Sequence, residues 1–378
     1  MAVAAIALVP TTIVTVAAEQ SASTGSTAGE TGESGWVGTW STPGPALASV
    51  LAVDAAGTIA AGFDGSVRAI GPMGEPLWSA HVDGGEVANL PVLVSDVVVV
   101  PSRDRISALD RSAGAPRWEQ RVASGRVAGG ALPDGTSVVL AATRRGSLWL
   151  LDAASGSRLL ATAVPGPKPS SAPYAWLSGT SSVVAWSTKG SCCHLAGVDL
   201  EQGEMRWRVT VTHRSTVPVV HHGLVVLATA AHGSSSARVT AYDARTGAVR
   251  WRTNVDGTFG NGLFGDAAGD DVVIASAQGS VLALDIESGR LRWVSDPVEA
   301  SAEAHPKIAG DRVFLTPLNV GVVEIDRRTG VVVQAGPFAR EVYVHSSAGG
   351  ADRFEVLVGN GLESAVWAFE SPERLPAG

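Results

Sequence analysis

The stretch Ala283-Leu284-Asp285-Ile286-Glu287-Ser288-Gly289-Arg290-Leu291-Arg292-Trp293 decides the fold. An apolar pair runs into an aspartate; a glycine follows four residues on, and a tryptophan four residues after that. The same spacing returns in Ala108-Leu109-Asp110…Gly114…Trp118, in Asp199…Gly203…Trp207 and in Ala241-Tyr242-Asp243…Gly247…Trp251. Fainter copies are Asp152…Gly156…Leu160 and Asp326…Gly330…Val333, while Gly74…Trp78 keeps the second half with Ile70 in the aspartate's place. Gly74, Gly114, Gly156, Gly203, Gly247, Gly289 and Gly330 are separated by 40, 42, 47, 44, 42 and 41 residues. A period of that size built from short strands predicts an all-β propeller with one blade per repeat.

The stretch 272–297 gives the grammar of a blade. Val272-Val273-Ile274-Ala275-Ser276 is a short apolar run, Gln278-Gly279 a hairpin turn, and 280–285 the next strand. Asp285 to Gly289 then turns the chain into an outer strand, Leu291-Arg292-Trp293-Val294. The aspartate suits backbone N–H groups two or three residues on, and the glycine supplies the positive φ that closes such a turn. The tryptophan falls at one height on every outer strand, where its indole can cover the seam between blades. Burying one such ring is worth about 3 kcal/mol. Asp64-Gly65, Arg145-Gly146, Lys189-Gly190, His232-Gly233 and Asn360-Gly361 are the corresponding hairpin turns elsewhere. Less regular segments at 87–94, 215–220 and 304–309 are expected to form innermost strands lining a central channel.

Seven turn-plus-outer-strand units run from Gly74 to Gly330, and 353–359 and 364–370 repeat the middle strands of an eighth, with Glu370 in the aspartate's slot. Thr31-Gly32-Glu33-Ser34-Gly35-Trp36 has the Gly-to-Trp spacing of an outer strand. Residues 31–42 are therefore expected to supply the missing strand and close the ring, which removes both open sheet edges. Eight blades is the expected number, with seven as the alternative.

The chain has 378 residues, is 45% hydrophobic and 17% charged, and carries 44 glycines, which suits many short buried strands joined by tight turns. Its net charge is −8 and it has no basic run, so nucleic acid is not an expected partner. Arg206, Arg250 and Arg292 on the outer strands read as a solvated face. Residues 1–18 are apolar and read as a signal peptide or membrane anchor, with Val16-Ala17-Ala18 as a small-residue cleavage site. Residues 19–30, rich in Ser, Thr, Gly and Ala, read as a flexible linker, and 31–378 as the propeller domain. The expectation is an extracytoplasmic monomer, secreted or tethered to the membrane only through that N-terminal segment.

The phrase Ala-x-Asp-x-x-Ser/Thr-Gly-x-x-x-Trp, best kept at Ala241–Trp251 and Ala283–Trp293, resembles the tryptophan-docking repeat of the PQQ-like (quinoprotein-type) β-propellers, including the BamB-like ones. The resemblance spans about 340 residues and implies the fold. It also implies two functions: a non-catalytic scaffold for protein binding or assembly in the cell envelope, or a quinone-dependent alcohol or sugar dehydrogenase. Dehydrogenases of this type carry long insertions that build the cofactor cavity, whereas this chain has compact blades with short loops. The expectation is therefore a scaffold without catalytic residues, cofactor or metal, whose partner is another envelope protein.

Some quinone dehydrogenases hold a disulfide between adjacent cysteines against the cofactor, so Cys192-Cys193, the two cysteines of the chain, are a candidate vicinal disulfide. Neighbouring Cα atoms about 3.8 Å apart lie below the usual disulfide range of roughly 4.4–6.8 Å. The readings are two unbonded thiols, a strained disulfide without function, a redox or cofactor contact, and mixed or intermolecular pairing. The pair follows a hairpin turn, away from the expected channel. His221-His222, with His213 and His232 nearby, lack carboxylates at ligand spacing. Asp270-Asp271 reads as an ordinary polar turn. No nucleophile elbow, zinc-binding helix motif or phosphate loop is present. His305, Lys307 and His345 are the polar residues expected to meet in the channel.

Overall fold

A computed structural model describes residues 37–43 and 48–370. Outside the description lie 85–86, 88–89, 123, 165–168, 171–172, 189–190, 212–213, 216, 232–233, 257–264, 276–279, 298–305, 316–321, 337–342, 350–352 and 360–363. In 37–43, 48–51, 334–336, 343–349, 353–359 and most of 364–370 the description covers the backbone alone. Among the described residues every regular element is a β-strand, arranged in eight antiparallel sheets. None forms a helix long and apolar enough to cross a membrane.

The sheets follow the repeat, each running from an inner to an outer strand. The first holds Ala48–Asp54, Gly57–Gly62, Ser66–Ile70 and Pro76–His81. The second holds Val92–Val94, Val97–Pro101, Ile106–Asp110 and Pro116–Gln120. Ser124–Ala131, Ser137–Thr143, Ser147–Asp152 and Arg158–Ala163 make the third. Tyr174–Ser178, Ser181–Thr188, Ser191–Asp199 and Met205–Val211 make the fourth. In the fifth the inner strand is split into Arg214–Ser215 and Val219–His221, followed by Leu224–Ala230, Ser236–Asp243 and Val249–Asp256. The sixth is Gly265–Ala268, Asp271–Ala275, Val281–Asp285 and Leu291–Val294. The seventh is Lys307–Ala309, Arg312–Leu315, Val322–Asp326 and Val332–Gly336. Tyr343–Gly349, Arg353–Gly359 and Ser364–Glu370 begin the eighth, and Val37–Pro43 from the other end of the chain completes it. Val37 stands opposite Glu370 and Pro43 opposite Ala365. Trp36, the tryptophan of that strand's repeat, lies outside the described residues.

Of the inner strands expected at 87–94, 215–220 and 304–309, the described residues form Val92–Val94, Arg214–Ser215 with Val219–His221, and Lys307–Ala309. Each inner strand lies against the inner strand of the next sheet, from the first to the eighth, and Tyr343–Gly349 lies against Ala48–Asp54.

From the first sheet to the seventh the second strand buries both faces, and in the second, sixth and seventh the third does so over most of its length. Val97 to Val100 are wholly inaccessible, as a sheet sandwiched between two others requires. The core is divided among the seams. One cluster joins Val226, Val239 and Trp251 of the fifth sheet to Val272, Leu282 and Ile286 of the sixth. Another joins Val273, Ala283 and Trp293 of the sixth to Val313, Val323 and Ile325 of the seventh. Equivalent clusters lie between the first and second, second and third, third and fourth, and fourth and fifth sheets.

Candidate functional site

The repeated turn is built around its aspartate. Asp285 Oδ1 accepts the backbone N–H of Ser288 at 2.8 Å and the Ser288 hydroxyl at 2.6 Å. Asp110 accepts the N–H groups of Ser112 and Ala113, both at 2.9 Å. Asp243 takes those of Arg245 and Thr246, and Asp199 those of Glu201 and Gln202. The glycine N–H then returns to the aspartate's own carbonyl, as from Gly114, Gly203, Gly247 and Gly289. Gly247 and Gly289 both have φ 69°, a region that a side chain disfavours. In the first repeat Gly74 bonds to Gly71 instead, a tighter turn in keeping with Ile70 in the aspartate's place.

Each tryptophan spans to the following sheet. The indole nitrogen of Trp78 donates to Arg111 O at 2.8 Å, Trp118 to Ala153 O at 2.8 Å and Trp207 to Ala244 O at 2.9 Å. Trp251 donates to Ile286 O and Trp293 to Arg327 O, both at 2.7 Å. The acceptor is always the carbonyl of the residue after the next repeat's aspartate, or after the aspartate Asp152 of a fainter copy. The ring lies over the next repeat's glycine: a Cβ on Gly247 would stand 2.6 Å from Trp207, and one on Gly330 2.5 Å from Trp293. Leu160 holds the same place over Gly203, without a polar edge.

The outer-strand arginines are more than a solvated face. In every sheet from the first to the seventh the outer strand skips one residue of register just before the tryptophan slot. Such a bulge re-aims the extra residue. Where it is arginine, it folds back on its own repeat's aspartate: Arg117 Nη2 lies 2.6 Å from Asp110, Arg206 Nε 2.9 Å from Asp199, and Arg292 Nη2 2.6 Å from Asp285. Arg250 stands farther away, at 4.0 Å from Asp243. Hydrogen bonds from Ser288 and Arg292 hold the Asp285 carboxyl well below the usual carboxylate range, and Ser112 and Arg117 do the same for Asp110.

Register also corrects the seventh repeat. Gln334 faces Glu324 as Trp293 faces Ala283, so the tryptophan slot is Gln334 and Val333 is the bulged residue. Buried charge accompanies the change. Arg312 Nε is 2.8 Å from Glu324 Oε1, and Arg312 Nη1 is 2.6 Å from Asp311 and 3.1 Å from Asp326. Nor is Asp271 part of an ordinary polar turn. It lies 2.7 Å from Arg292 of its own sheet and 2.8 Å from Arg327 of the seventh. Arg111 reaches back to Asp54 of the first sheet in the same way.

Cys193 lies on the third strand of the fourth sheet, opposite Val211, buried in the seam toward the fifth. The side chain of Cys192 lies outside the described residues. His194 stacks on Trp186 with ring centroids 5.3 Å apart, and its two nitrogens lie 3.2 Å from the Thr188 and Thr210 hydroxyls. Burial, with Arg208 nearby, lowers its pKa. His221 and His222 stack at 4.0 Å in the first hairpin of the fifth sheet, and His221 Nε2 is 3.1 Å from Gly269 O. His213, His232 and His305, and the side chain of His345, lie outside the described residues; Lys307 begins the seventh sheet's inner strand, half-buried. Among the described residues no three His, Cys, Asp or Glu side chains converge on a metal position.

The family model described as outer membrane protein assembly factor BamB matches residues 63–233 and 235–334. The solved structure of BamB from Moraxella catarrhalis is similar over 90% of this chain and 99% of its own, with a TM-score of 0.65 and 18% identity. The computationally designed Ika8 protein is similar over 86% and 97%, with a TM-score of 0.68 and 14% identity. Curated protein sequences give no match. With its repeat matched over most of the described sheets, the chain belongs to the PQQ-like β-propeller family described as outer membrane protein assembly factor BamB.

Proposed function

We propose that this chain is a non-catalytic scaffold of the cell envelope, an eight-bladed ring that offers its rims to another protein. The observation that carries the reading is the match to the BamB assembly-factor family across residues 63–233 and 235–334. The geometry supports it through the use the repeat makes of its chemistry. Asp110, Asp199, Asp243 and Asp285 are engaged by their own turns, and the tryptophans by the neighbouring sheets. Ring closure is supported by the pairing of Val37–Pro43 with Ser364–Glu370 and by the contact of Tyr343–Gly349 with Ala48–Asp54. Residues 1–18 export the monomeric domain and either tether it or are cleaved, with 19–30 as the linker.

The test has two arms. The purified chain, given pyrroloquinoline quinone and calcium with alcohols or sugars, is expected to leave an artificial electron acceptor unreduced. In intact cells, photo-crosslinkers on the rim turns are expected to yield a discrete adduct with another envelope protein. Substrate-saturable reduction of the acceptor would overturn the scaffold reading, and so would the absence of any adduct from either rim.

A further inference from the structure

One end of the second and third sheets carries a local cluster of basic side chains. In an antiparallel sheet the turns between first and second strands share an end with those between third and fourth. On that end the charges are mixed, Glu75, Asp134, Glu201, Glu204, Asp270 and Glu287 being exposed alongside Arg245, Arg290 and Arg328. The opposite end holds the turns between second and third strands and the segments leading to the next sheet. There the second and third sheets present Arg103, Arg144 and Arg145 on turns and Arg121 just past an outer strand, all four exposed.

These four guanidiniums have no structural employment. Among the described residues none of them makes an ion pair or hydrogen bond, whereas Arg117, Arg206, Arg292, Arg312 and Arg327 all do. The acids beside them are already taken. Arg105 binds both Asp104, at 3.3 Å, and Glu119, at 3.0 Å. Asp64 and Asp83, on the first sheet's turn and exit segment, mark where the basic sector stops. The second and third sheets are adjacent, joined by a shared core of Val97, Ile106, Val139 and Leu151. Phe63, on the first sheet's turn at this end, and Leu90, just before the second sheet's inner strand, are exposed large apolar side chains beside the sector.

On a chain of net charge −8, a sector of arginines unpaired among the described residues attracts an anionic ligand. Arginine favours forked pairing with carboxylates. Arginine with adjacent aromatic and aliphatic anchors is also the composition of protein-binding hot spots. We infer that the turn end of the second and third sheets, carrying Arg103, Arg121, Arg144 and Arg145, docks an acidic polypeptide segment of the partner protein, with Phe63 and Leu90 seating its apolar residues. The inference rests on the scaffold reading and names the chemistry of its partner.

The probe is a fluorescein-labelled peptide of glutamates with interspersed leucine and phenylalanine, followed by anisotropy against the full chain. Controls are the same peptide with glutamine for glutamate, and phosphatidylcholine vesicles with and without phosphatidylglycerol. Binding is expected to weaken about tenfold or more in R103E/R121E/R144E/R145E, and to fall steeply with salt. It should stay unchanged in R245E/R328E, whose exposed arginines sit on turns at the other end. Because the four arginines have no partner among the described residues, the reversed variant should keep its melting temperature, which certifies its fold. Absence of peptide binding, equal binding of the glutamine peptide, equal loss in R245E/R328E, or binding of the anionic vesicles in place of the peptide would each overturn the inference. None of these results reduces an electron acceptor, so the scaffold reading stands or falls separately.

Discussion

At the position of Gly247 a tryptophan ring occupies the space where any other residue would place its Cβ. Trp207 lies 2.6 Å from that point, and its indole nitrogen donates to Ala244 O three residues earlier. Gly247 has φ 69° and Gly223 φ 73°, but nothing approaches the Cβ position of Gly223 within 4 Å. Gly247→Ala should therefore destabilise more than Gly223→Ala in chemical denaturation, the excess measuring the indole contact while the backbone strain cancels. Trp251→Ala, which empties a buried slot, should cost about 3–5 kcal/mol. Trp251→Phe, which removes the 2.7 Å bond to Ile286 O, should lose about 1 kcal/mol from that bond alone, measured the same way. The aspartates set the acid limb. Because the Asp285 carboxyl titrates below its unfolded value, of about 3.9, its stabilisation is complete above that value and lost as pH falls beneath it. The melting temperature should hold from neutral pH to about pH 5 and drop below about pH 4, with a shallower drop in Asp285→Asn. Asp285, Gly289 and Trp293 were legible in the sequence because turn chemistry fixes their spacing. The arginine before the tryptophan was not, since only a bulge turns Arg292 back onto Asp285, and no alternating pattern announces a bulge.

At the scale of the strand, the seventh sheet departs from the others in a correlated way. Its third strand carries Glu324 where the sixth has Ala283, its outer strand carries Gln334 where the sixth has Trp293, and its second strand supplies Arg312 to Glu324. Apolar character alone placed Val333 in the tryptophan slot, although four residues on from Gly330 is Gln334. Register shows the slot is polar. Arg312 and Glu324 are both buried, but Asp311 and Asp326 still pair with the guanidinium, so Glu324→Ala should destabilise by about 1.5–3 kcal/mol, the worth of its charged hydrogen bond. Arg312→Met with Glu324→Leu should recover most of that loss, as apolar replacement of a buried pair often does. A double-mutant denaturation cycle reads both effects. The inner strands were the least legible elements: Val92–Val94 and Lys307–Ala309 are three residues long, too short for alternation to register.

At the scale of the molecule, the period near 42 residues foretold a succession of like sheets, because each repeat leaves a face that only its neighbour can bury, and the aspartate-to-tryptophan phrase foretold the family to which the chain belongs. The ends of the sheets were a different matter. Which turn sits on which end follows from strand order, so the separation of Glu201 and Glu287 from Arg103 and Arg144 is invisible until the strands are paired. The same topology makes the two ends of the chain interdependent, since Val37–Pro43 is the outer strand beside Ser364–Glu370. Without it, the 364–370 strand would present an open edge. The most direct measurement is therefore to delete residues 1–43 and compare denaturation midpoint and sedimentation with a chain beginning at residue 31. A ring closed by its first strand predicts a lower midpoint and self-association of the shorter chain. An unchanged midpoint, with the shorter chain still monomeric, would contradict it.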